Sequence, residues 1–153
     1  MRRFLAALAC LCLCLGLCAC GSSYSAMPEL KLSWGMSREE VMNAGEVRMD
    51  ELEGDDGVYL SSQKGQKLPE VNGLELKWVR CYFDQDGGLK QVDVKFASED
   101  PSAIYEALKS KYGKAAESGY TYMLWELDDL AVLDNIAFGA QGVVSYYAPE
   151  AWN

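Results

Sequence analysis

The chain contains no histidine among its 153 residues. That absence removes Ser-His-Asp and Cys-His nucleophile arrangements, the side chain that titrates nearest neutrality, and every metal site built on imidazole. Cysteine is scarce where a fold would use it. Five of the six cysteines lie within the first twenty residues and only Cys81 follows, so no intramolecular disulfide can form beyond residue 20. Cys81 is expected to pack inside a strand rather than to react. Basic residues are outnumbered, 14 against 23 acidic, giving a net charge of −9. A surface that acidic disfavours nucleic acid and anionic lipid headgroups alike. The longest apolar run falls short of the roughly 18–20 residues that a spanning helix needs. Carboxylate-pair and Ser-Lys chemistry survive these exclusions, but no motif supports either.

What is present begins with the first twenty-three residues. Arg2 and Arg3 form a short basic region, and residues 4–18 are continuously apolar, the pattern of an export leader. Leu17-Cys18-Ala19-Cys20 then leads into Gly21-Ser22-Ser23. An aliphatic residue, one free position, a small residue and a cysteine resemble the lipobox of bacterial lipoproteins. The resemblance implies lipidation of the Cys20 thiol by diacylglycerol and cleavage before Cys20. It also implies acyl chains, palmitate among them, holding the mature chain on the extracytoplasmic face of a cell membrane. Cys18 competes poorly for that role because Leu17 is too bulky for the small-residue position. A plain secretory leader cut near Ala19 is the simpler alternative. Loss of residues 1–19 removes Arg2 and Arg3 and no acid, leaving 12 basic and 23 acidic residues among 134, a net −11. Acyl chains, two of which hold stably, would therefore do what basic patches cannot.

The remaining chain divides into a lipidated tether over residues 20–30 and a single domain over residues 31–150. Ser37 with Glu40 three residues on is a capping box, Val41 and Ala44 give the following helix an apolar side, and Gly45 suits a left-handed stop. Residues 50–57 are read as an acidic, solvated loop, and residues 58–60 as a short strand. Leu74, Leu76 and Trp78 alternate with charged residues, and then Val79, Cys81 and Phe83 do so; the slip at Trp78-Val79 predicts a bulge or a strand buried on both faces. Asp84 to Gly88 reads as a hairpin turn. Its Asp-x-Asp-Gly opening lacks the third alternating oxygen ligand and the bidentate glutamate of a calcium loop, so no metal is expected. Val92, Val94 and Phe96 alternate cleanly as a half-buried strand. Asp100-Pro101 caps a second helix that Gly113 closes, and strands are predicted over residues 120–127, 130–138 and 143–147.

The Trp34-Gly-Met-Ser-Arg-Glu-Glu-Val41 stretch resembles the helix start of small envelope lipoproteins of the outer-membrane-assembly SmpA/OmlA type. It also resembles the repeats of the β-lactamase-inhibitor-protein-like fold. Both imply a short helix followed by antiparallel strands. Two departures bear on function: Glu46 stands where the assembly lipoproteins prefer proline, and the disulfides of the inhibitor-like members have no counterpart. The layout is an α+β domain, an antiparallel sheet with two short helices on one face, in two helix-plus-three-strand halves.

An open sheet face is a natural partner surface. Aromatic residues cluster late in the chain, at Tyr120, Tyr122, Trp125, Tyr146, Tyr147 and Trp152. Most should fill the core, and Tyr122, Trp125 and Tyr146 are the candidate binding residues if some face outward. The expected function is non-enzymatic: an envelope lipoprotein that binds another envelope protein through its sheet face, with no cofactor, metal or nucleic acid. A lipoprotein that binds a small ligand or an envelope polymer is the alternative, and a carboxylate-based hydrolase trails both.

Overall fold

The computed structural model describes residues 25–55, 57–135 and 142–152. The leader, Cys20 and the predicted end of the strand at 136–138 lie outside these residues. Of the segment expected to be tether, residues 25–30 belong to the domain. Strand β1 (Ser25–Met27) pairs antiparallel with β2 (Leu32–Ser33), linked by a single 3-10 turn at Pro28–Leu30. Ala26, Met27, Leu30 and Leu32 all belong to the main buried cluster. Lys111 ties down Glu29 at 2.5 Å, and the Trp34 indole donates to the Asp129 carbonyl at 3.1 Å. A short serine-rich stretch before it and Pro28 after it hid an apolar pair at Ala26-Met27 that the core needs.

Local capping sets the helices. In α1 (Arg38–Asn43), Ser37 Oγ accepts from the Glu40 N–H while Glu40 Oε2 accepts from the Ser37 N–H at 2.8 Å, completing the predicted box. These hydrogen bonds hold the Glu40 carboxyl below its ordinary pKa. Helix α2 (Pro101–Tyr112) starts with Asp100 Oδ1 accepting from the Ser102 N–H at 2.9 Å, and stops at Gly113, where φ is +83°. Val41 of α1 and Ile104 and Leu108 of α2 enter the same buried cluster as the sheet residues below. A last short helix, α3, spans Pro149–Trp152.

Each of the first two helices precedes four strands, not the three expected. β3 (Met49–Gly54), β4 (Gly57–Ser62), β5 (Leu76–Phe83) and β6 (Leu89–Phe96) follow α1. β7 (Glu117–Ser118), β8 (Tyr122–Leu127), β9 (Leu130–Asn135) and β10 (Val143–Tyr147) follow α2. All eight form one antiparallel sheet in the order β3-β4-β5-β6-β10-β9-β8-β7. The protein is therefore α+β and mostly sheet. The equivalent strands β6 and β10 lie side by side and antiparallel in its middle. The acidic loop expected at 50–57 is strand β3 and its hairpin turn. It lies at the sheet edge with five of its six residues exposed, so no apolar alternation announces it. The irregularity expected at Trp78-Val79 in β5 is a register shift one step earlier, between Leu76 and Trp78. In the turn after β5, the Asp84 carboxylate accepts from the Gly88 N–H at 2.9 Å and serves the hairpin itself.

Cross-strand register sorts the side chains onto two faces. One row runs Leu60, Cys81, Val92, Tyr146, Val132, Trp125. All six are buried and share a cluster with Val41, Ile104 and Leu108. Cys81 lies within this row, and burial, with a smaller contribution from the Asp93 charge, pushes its thiol up to about 12. That is the packing role expected of it.

Candidate functional site

The expected aromatic candidates separate. Trp125 is 1% exposed and Tyr146 0% exposed, both on the core face. The Trp125 indole donates to the Gly113 carbonyl at 2.9 Å and packs against Tyr105 with ring centres 6.1 Å apart. The Tyr146 hydroxyl accepts from Asn72 Nδ2 at 3.3 Å. Each fills core volume and satisfies its one polar atom internally, so neither meets a partner in this fold, contrary to expectation. Tyr122 is the exception. It lies on the opposite face, half-buried, and its hydroxyl donates to Glu117 Oε2 at 3.2 Å, which pushes the phenol pKa up. Tyr120 is fully exposed in the turn before β8.

The face away from the core is built by three further rows. The first runs Leu52, Tyr59, Tyr82, Gln91, Tyr147, Ala131 and Glu126. Beside it run Asp50, Ser61, Arg80, Asp93, Ser145, Leu133 and Leu124. The third contains Trp78, Lys95, Val143, Asn135 and Tyr122. Alternation along β5 is what brings Trp78, Arg80 and Tyr82 together here.

Those three residues and Tyr59 form one connected group. The Arg80 guanidinium lies 4.5 Å from the Trp78 ring centre and 5.6 Å from that of Tyr59. Tyr59 and Tyr82 stack with centroids 5.5 Å apart and planes 22° apart. Asp93 sits directly across from Arg80 in register, and its Oδ1 accepts from Gln91 Nε2 at 2.9 Å. Arg80 Nε is shielded from solvent and donates to no acceptor. Burial, followed by the Asp93 charge, raises the Tyr82 phenol, with Arg80 acting against them. Burial likewise raises Tyr147. A cleft of about 530 Å³ opens at this end of the face, lined by Asp55, Tyr59, Tyr82, Lys90, Gln91 and Asp93 among others.

Chemically, this arrangement offers flat aromatic surface, a cation held over rings, and a carboxylate with a neighbouring amide. Sequence reasoning named none of Tyr59, Trp78, Arg80, Tyr82 or Asp93 as binding residues. The signal existed: Val79, Cys81 and Phe83 mark one side of β5 as core, which puts Arg80 and Tyr82 on the other. Among the described residues, no group of three or more acidic or cysteine side chains is placed to hold a metal ion. Compared with known proteins, the chain matches no family model, and neither a curated protein nor a solved structure is significantly similar to it.

Proposed function

We propose that this chain is a membrane-anchored extracytoplasmic lipoprotein, non-enzymatic, that binds another envelope protein through the open face of its sheet. Cys20 carries the acyl anchor in this reading, supported by the leader and the Leu17-Cys18-Ala19-Cys20 sequence. Helices α1 and α2 lie on the face opposite the binding surface, a placement supported by the shared burial of Val41, Ile104 and Leu108 with Cys81 and Val92. The observation that carries the reading is the Trp78, Arg80, Tyr59 and Tyr82 group. Interface hot spots are enriched in tryptophan, tyrosine and arginine, and here four such residues occupy one face without serving the core. Confinement to a membrane raises the effective concentration of partner and protein, so modest affinity suffices. A second reading, a small polar ligand or envelope polymer, is favoured by the 530 Å³ cleft with Gln91, Asp93 and Lys90 on its walls.

The test is crosslinking capture of partners by the full chain from detergent-solubilised membranes of its host. One saturable protein partner, lost in Arg80→Ala and Tyr82→Ala while thermal melts stay unchanged, is the expected result. Palmitate labelling should disappear in Cys20→Ala. Capture of nothing above background, or capture indifferent to both substitutions, would remove the open face from consideration.

A further inference from the structure

The sheet has two edges, and they are unequal. β7 closes one with only two residues, while β3 closes the other with six. The parity of the β3–β4 ladder fixes which backbone groups that edge presents. The Gln63 N–H donates to the Arg48 carbonyl at 2.9 Å. Hydrogen-bonded and non-bonded pairs alternate along an antiparallel ladder, so Asp50–Ser61, Leu52–Tyr59 and Gly54–Gly57 exchange bonds with β4. Met49, Glu51 and Glu53 then turn their N–H and C=O groups outward, where no described strand flanks them.

Side chains give that edge a definite character. Five of the eight residues 50–57 are acidic. Asp50, Glu51 and Glu53 are exposed on β3, and Leu52 between them is 42% exposed. Leu52 projects to the open face beside Tyr59, while Glu51 and Glu53 project to the other. A second copy pairing antiparallel on this edge would set Glu51 and Glu53 against their own counterparts, and like charges directly opposite are destabilising. Charge therefore disfavours self-association and acidic strands at an edge that is otherwise ready to pair.

We propose that the β3 edge receives an extended basic segment of a partner protein as a ninth strand. The outward groups of Glu51 and Glu53 supply main-chain hydrogen bonds. Lysine or arginine two residues apart in the added strand oppose Glu51 and Glu53, and an aliphatic residue between them covers Leu52. The recognised chemistry is a strand of alternating basic and aliphatic residues. This edge adjoins the Arg80 group where Leu52 lies beside Tyr59, but the main-chain pairing at Glu51 and Glu53 does not depend on the role assigned to that group.

The test uses the full chain in neutral detergent with two short labelled peptides, one alternating lysine and valine, the other glutamate and valine. Fluorescence anisotropy reads binding, and hydrogen exchange reads individual amides. The basic peptide should bind saturably and slow exchange at the amides of Glu51 and Glu53, and the acidic peptide should not bind. Glu51→Pro removes one outward donor while sparing the bonds to β4, and should weaken binding about tenfold, as should the pair Glu51→Gln with Glu53→Gln. A basic peptide N-methylated at alternate residues provides the same block without altering the protein. No saturable binding, or binding that leaves those two amides unprotected and ignores both blocks, overturns the proposal.

Discussion

Replacing Asp134 by asparagine should stabilise the protein, and by an amount that depends on pH. Asp134 is the penultimate residue of β9 and lies on the core face, in register with Val144 and Met123. It is 2% exposed, and its Oδ2 has no hydrogen-bond partner. Burial raises its carboxyl pKa from 3.8 to about 6. The folded state therefore holds this proton more tightly than the unfolded chain does. Stability from this group is complete below about pH 4, is lost as pH rises to about 6, and stays lost above. A shift of about two units at about 1.4 kcal/mol each sets a ceiling of about 3 kcal/mol for the cost of the buried charge at neutral pH. Local relaxation and water reduce that to about 2 kcal/mol. Asparagine keeps the shape and cannot ionise. Urea unfolding followed by tryptophan fluorescence, at several values between about pH 4 and 7.5, gives the variant-minus-wild-type difference. Other carboxylates titrate in both proteins and cancel. The difference should be near zero at about pH 4 and grow to about 2 kcal/mol by pH 7.5 in favour of the variant. A difference flat across the range would refute the argument. A variant less stable at pH 7.5 would do so as well, because it would mean that the carboxylate is paired.

Two more outcomes follow from the core. Deleting residues 21–30 as though they were tether removes Ala26, Met27 and Leu30 from the buried cluster. With about 2–5 kcal/mol at stake for each large apolar side chain, the truncated domain should fail to show a cooperative melt in calorimetry. Trp125→Ala should cost about 3–5 kcal/mol in urea titrations, against under about 0.5 kcal/mol for Tyr122→Phe, which separates the core aromatic from the surface one.

The parts of the fold legible in sequence were those decided locally. A capping box at Ser37 and Glu40 or a proline after Asp100 works through neighbouring atoms, and both helices begin where those signals stand. β5 and β6 announce themselves because one side faces the core and the other does not. β3 does not, because an edge strand exposed on both faces buries no alternate set of residues. The aromatic site failed for a different reason. Tyr122 and Trp125 are three residues apart on one strand, so they face opposite ways, and alternation alone cannot say which way the helices lie. Long-range register settles it by setting Trp125 beside Val132 and Tyr146.

Among the described residues, the last strand in sequence, β10, is one of the two central strands of the sheet. Without residues 143–147, β6 and β9 have no strand between them, and the two halves of the sheet are unconnected. Val144 and Tyr146 are also absent from the core until then. Sheet closure thus requires β6 to meet β10 about fifty residues further along the chain, a non-local pairing of the kind that folds slowly. The strand order thus acts as a lock: the two four-strand halves are joined only where residues 91–95 meet residues 143–147, so the whole sheet is secured by one long-range pairing.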